Sequence, residues 1–175
     1  MPPVFDERKV TRMAQFLAIF LAVLLTSLIS PPATPATDPA VVLERLNDGG
    51  YTGKWTAIEP WGIEFCLPDG WTGEYINPMG VENYKASSAD GQATLSIQST
   101  GRLDDGQSLA EWAEAIAEGR PVEMAEANGQ EAAVIRAGEI TLIFVTCGVD
   151  IYCFHATGIP DEMALQIAGT CTDVW

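Results

Sequence analysis

The stretch from Glu139 to Thr157, EITLIFVTCGVDIYCFHAT, constrains the fold more than any other part of the chain. Its first half is apolar on both parities. Ile140, Leu142 and Phe144 point one way and Ile143, Val145 and Cys147 the other, the pattern of a strand covered on both faces. Gly148-Val149-Asp150 supplies a turn, and Ile151, Tyr152, Cys153 and Phe154 return with β-branched and aromatic side chains. At about 1.5 to 3 kcal/mol per fully buried large apolar side chain, this hairpin can supply much of a small domain's gross hydrophobic term.

The elements around it are of both kinds. Gly62 to Leu67 reads as a first strand ending in a Pro68-Asp69-Gly70 turn. Val81 to Ser87 and Gln92 to Thr100 form a hairpin across Ala89-Asp90-Gly91, the second strand being apolar on one face (Ala93, Leu95, Ile97) and polar on the other (Thr94, Ser96, Gln98). Ser108 and Glu111 make an S-x-x-E capping box, and Leu109, Trp112, Ala113, Ile116 and Ala117 follow at helical spacing up to Gly119. Trp112 is therefore a core residue. Pro121 to Ala127 and Gln130 to Ala137 flank Asn128-Gly129, among the strongest of short hairpin signals. Pro160 and Asp161 open a last helix with Met163, Ile167, Cys171 and Val174 on one face. An α+β class follows, with an antiparallel sheet and helices packed on its faces.

Upstream, Arg8, Lys9 and Arg12 precede an apolar run, Met13 to Ile29, and then the Pro-rich tract PPATPATDPA, the order of an export signal. As a helix that run spans about 25 Å, short of the roughly 30 Å hydrocarbon core, which favours a cleaved signal with a mature start near Thr37 over a retained anchor. Residues 1–36 are read as this signal or anchor, 37–60 as a linker with a short helix capped by Asp38, and 61–175 as the folded domain. Contact with a membrane is expected only through residues 13–29, if they are retained.

The chain carries a formal charge of −15. Without residues 1–36 it keeps 6 basic residues against 22 acidic ones, about −16. Nucleic acid and anionic lipid are bound mainly by Lys and Arg, so neither is an expected partner.

All four cysteines, Cys66, Cys147, Cys153 and Cys171, lie in the exported part, and an even number in an oxidising compartment predicts two disulfides. Three connectivities are open. Proximity about one turn favours Cys147 with Cys153, leaving Cys66 with Cys171 to tie the first strand to the last helix. No spacing is the short C-x₂₋₄-C of a zinc knuckle, and no metal or other cofactor is expected. Asp104-Asp105-Gly106 lacks the alternating carboxylates of a calcium loop and reads as a solvated loop.

Candidate binding residues are Trp55, Trp61 and Trp71, which cluster in sequence around the first strand and whose rings suit either burial or recognition. His155, the sole histidine, is the natural acid/base candidate, on the same strand face as Ile151 and Cys153. No G-x-S-x-G elbow, P-loop, dinucleotide fingerprint or H-E-x-x-H motif is present, and no catalytic residue is assigned.

The segments GIEFCLPDGW (62–71), QSLAEWAEAIAEG (107–119) and ANGQEAAVI (127–135), with the final hairpin and helix, resemble the Mog1/PsbP-like superfamily, and its bacterial exported members in particular. The resemblance covers residues 60–175. It implies an α/β/α sandwich used mostly without catalysis, as in a Ran-binding transport factor, an extrinsic photosystem subunit and bacterial envelope proteins. The shared positions, Pro68, Gly70, Trp71 and Gly129, are structural, so no binding residue carries over. The reading is an exported, non-catalytic binding or adaptor domain with a protein or small-ligand partner. The alternatives are a small secreted hydrolase using acidic residues and a membrane-tethered structural envelope protein.

Overall fold

A computed structural model of the chain describes residues 53–77 and 80–174. The stretch read as an export signal or anchor and the short helix expected after Asp38 lie outside the described residues.

Three two-residue hairpins in a row build one half of the main sheet. β6 (Glu123–Ala127) turns into β7 (Gln130–Ala137) through Asn128 and Gly129, both at positive φ (52° and 78°), as a turn matching the right-handed strand twist requires. β7 turns into β8 (Ile140–Cys147) through Gly138-Glu139, and β8 into β9 (Asp150–Thr157) through Gly148-Val149. The other half is a meander of β3 (Thr72–Ile76), β4 (Asn83–Ser87) and β5 (Thr94–Arg102). β5 pairs antiparallel with β9, so the seven strands run β3-β4-β5-β9-β8-β7-β6 and β8–β9 lies in the middle.

Each face of that central hairpin has its own cover. On one side lies α1 (Leu109–Ile116), packed on β7 and β8, with the Trp112 ring edge-on to Phe144 at 5.3 Å. The capping box that opens α1 is formed in full, since Ser108 Oγ accepts from the Glu111 N–H while Glu111 accepts from the Ser108 N–H. On the other side lie α2 (Asp161–Ala168) and a small antiparallel sheet, β1 (Gly53–Ile58), β2 (Ile63–Pro68) and β10 (Thr172–Asp173), in the order β1-β2-β10. Ile58, Ile63, Phe65 and Leu67 of that sheet share a core with Ile143, Val145, Tyr152 and Phe154 of the hairpin and Met163 and Ile167 of α2. The class is α+β, a helix, a sheet and a mixed helix–sheet layer. Arg136 Nε and Thr141 Oγ1 each donate to the Asp161 carboxylate at 2.7 Å, holding the start of α2 on the sheet.

Three strands depart from the sequence reading. β1 lies in the stretch read as linker, β3 was not anticipated, and the C-terminal helix stops at Ala168, so Cys171 and Val174 are beyond it. β1 and β3 are mostly exposed and mix polar with apolar residues, which leaves no sustained alternation. β10 is two residues long and exists only because β2 offers an edge to pair with.

Candidate functional site

The three candidate tryptophans have three fates. Trp55 stands on β1 and is 53% exposed. Trp71 follows the Pro68 turn, its N–H donating to Pro68 O at 3.1 Å, and its ring leans half-buried on the core. Trp61 is the organised one. It ends a 3₁₀ turn, Glu59–Trp61, that joins β1 to β2. Its ring meets Tyr75 edge-on at 5.8 Å and Tyr152 at 6.0 Å, and its indole N–H donates to Glu82 at 2.9 Å. The Tyr152 hydroxyl donates to Trp61 O at 3.3 Å. Among the described residues no ring contact joins Trp55, Trp61 and Trp71 to one another.

The electrostatics of this corner follow from its donors. The Trp61 N–H, with the Tyr75 hydroxyl second, holds the Glu82 carboxyl below the usual carboxylate range, so it is anionic at neutral pH. Tyr75 is raised by partial burial and then by the hydrogen bond to Glu82. Tyr152 is pushed up to about 12, first by burial and then by the negative charge of Asp150, so its hydroxyl remains a donor. Tyr75 and Val81, each 37% exposed, flank the carboxylate at the surface. The arrangement is a fixed anion between apolar and aromatic surfaces, chemistry that accepts a guanidinium or ammonium group. Glu82, Tyr75 and Tyr152 escaped the sequence reading because they lie 14 to 91 residues from Trp61, and no local pattern links them.

His155 is elsewhere, on the α1 face of β9 between Ser96 of β5 and Leu142 of β8. It is 5% exposed and neither ring nitrogen has a hydrogen-bond partner. Burial depresses its pKa to about 4, so it is neutral at pH 7. Its neighbourhood is more polar than the alternation of β5 suggests. Asn83, Gln98 and Thr100 are buried as well, with Ser96 Oγ donating to Asn83 at 2.7 Å and Thr100 Oγ1 to Ile151 O at 3.0 Å. Of the polar residues of β5, Gln98 and Thr100 are buried and Ser96 is half-buried, which only the folded structure shows.

All four cysteines are buried. Cys147 lies opposite Asp150, on the α2 face of the sheet, whereas Cys153 lies opposite Phe144, on the α1 face. The expected Cys147–Cys153 bond would have to pass through the sheet, and the structure rules it out. Side chains of a hairpin alternate faces, so closeness in sequence about a turn did not mean closeness in space. Among the described residues no three His, Cys, Asp or Glu side chains gather as they would around a metal ion. Nor is any helix among them long and apolar enough to cross a membrane.

A solved structure aligns with this architecture over most of its length. The solution structure of cyanobacterial PsbP (CyanoP) from Synechocystis sp. PCC 6803 superposes with a TM-score of 0.50 at 15% identity, covering 73% of this chain and 95% of that one. The fold is PsbP-like. No protein-family profile and no curated protein matches the sequence, and at this identity the likeness to PsbP concerns the fold alone.

Proposed function

We propose that this chain is an exported, non-catalytic binding domain of the cell envelope that engages a basic segment of a protein partner at the Trp61 corner. The observation that carries the proposal is the Glu82 carboxylate, held ionised by Trp61 and Tyr75 beside exposed apolar surface. Three further facts support it. The order of basic residues, apolar run and Pro-rich tract at the N-terminus is that of an export signal. The net charge of −15 attracts a basic partner. The fold is PsbP-like, and the resemblance read from the sequence implies a domain used mostly without catalysis.

The test is crosslinking in cells producing the full chain, followed by pull-down, with the wild type, Glu82→Gln and Tyr75→Ala compared. One dominant partner should be captured by the wild type and lost, in a salt-sensitive way, from both variants. A partner held equally by all three would move the binding surface away from Trp61. No partner at all would turn attention to a small ligand.

A further inference from the structure

Cys147 ends β8 and Cys171 follows α2, and their Sγ atoms are 3.0 Å apart in the core between the large sheet and the C-terminal segment. Unbonded heavy atoms settle at about 3.5 to 4 Å, and a disulfide at about 2.05 Å, so the two sulfurs are already closer than packing alone places them. Cys66 and Cys153 have different surroundings. Cys153 is on the α1 face, where its cross-strand neighbours are Gln98 and Phe144. Cys66 lies on the face of β2 beside Trp55 and Gly53, away from the shared core in which Cys171 sits.

We infer that Cys147 and Cys171 form the one disulfide these two thiols are positioned for, and that Cys66 and Cys153 take no part in it. The bond ties the turn of the central hairpin to the end of the chain. Just beyond Cys171, β10 pairs with Glu64 and Ile63 of β2, and the Val174 N–H donates to Gly62 O at 3.0 Å. Gly62 adjoins Trp61, so the bond holds down the strand that backs the Trp61 corner.

The chemistry is thiol–disulfide exchange. One cysteine, as its thiolate, attacks a donor disulfide, which is a small-molecule disulfide or the active-site disulfide of an oxidoreductase. The second cysteine then displaces the donor from the mixed disulfide. The pair loses two protons and two electrons, and the donor disulfide is reduced to two thiols. Both sulfurs are buried, and the hydrogen bond with Cys147, then burial, then nearby negative charge that includes Asp173, push the Cys171 thiol up and disfavour its thiolate. A thiol in such a place attacks slowly and a bond there is slow to be attacked, so the disulfide is a permanent staple made as the chain folds and not a reversible switch.

The chain after Arg136 contains no Lys or Arg, so trypsin leaves Cys147, Cys153 and Cys171 on one peptide, 137–175. Cleavage before aspartate separates them at Asp150 and Asp161. The full-length protein is refolded with oxidised and reduced glutathione, blocked with N-ethylmaleimide before and again after denaturation, and digested at aspartates without reduction. The expected result is a linked pair of peptides carrying Cys147 and Cys171. A Cys66→Ser/Cys153→Ser variant should keep the same linked pair. Reductant should lower the Tm of the wild type by about 10 °C and leave a Cys147→Ser/Cys171→Ser variant unmoved. A linkage through Cys66 or Cys153, four free thiols after refolding, or a wild-type Tm indifferent to reductant would each overturn the assignment.

Discussion

The β8–β9 hairpin and the Trp61 corner both rest on aromatic packing, yet only the hairpin could be located from its own residues. In the hairpin, Phe144 meets Trp112 on one face and Phe154 meets Phe65 on the other, and each of these contacts fills a position that strand alternation already reserved for burial. In the corner, Trp61 is placed by Tyr75, Glu82 and Tyr152, which arrive from three different strands or their flanks. A two-sided buried strand declares itself through period-two hydrophobicity, whereas a surface site is assembled by the paths of separate loops. The hairpin holds the sheet together and the corner is what the sheet displays.

Truncating the hairpin sharpens the contrast most. Phe144 is fully buried, and Phe144→Ala should cost about 3 to 5 kcal/mol by denaturant unfolding, since it removes the ring and leaves a cavity against Trp112. A loss under 1 kcal/mol would mean that α1 is not seated on β8 as described.

A smaller effect is expected at His155, whose two ring nitrogens have no hydrogen-bond partner. Its folded-state pKa of about 4 lies below the value of about 6.5 for an unfolded chain, so the unfolded state takes up a proton first as the pH falls. The stability it contributes is complete above about pH 6.5 and drains away as the pH drops towards 4. Between pH 7 and 5 the wild type should lose about 2 kcal/mol more than His155→Leu. Parallel pH profiles for the two proteins would place the imidazole in contact with water.

The smallest effect belongs to the exposed ring of Trp55 on β1. Trp55→Ala should change unfolding stability by no more than about 0.5 kcal/mol, as expected for a side chain 53% exposed and outside the shared core. A cost above 2 kcal/mol would make Trp55 part of the core and remove the contrast between the two regions.

Much of the element inventory was legible. The capping box at Ser108 and Glu111, the Asn128-Gly129 turn and the two-faced run of β8 are local signals, complete within four to eight residues, and all three form as read. β1, β3 and β10 were missed because exposed strands at sheet edges carry little periodicity, and because a two-residue strand is a consequence of its neighbour. The candidate site was legible only as residue types. Trp61 was among the candidates for its aromatic ring, but nothing in its vicinity pointed to Glu82, and the expected cysteine pairing failed on the strand alternation that had located the hairpin.

By itself the sequence determined where the helices, turns and all strands but β3 lie between Ile63 and Ala168, that the central hairpin is covered on both faces, and that the chain is strongly acidic. These are properties of short windows and of composition, and they hold whatever the rest of the chain does. Tertiary structure alone decided that β9 returns to β5, that His155 is enclosed without a partner, and that Cys147 meets Cys171. Each of these depends on which distant segments pair, and the free energy of that pairing belongs to the whole assembled core and not to any stretch read alone.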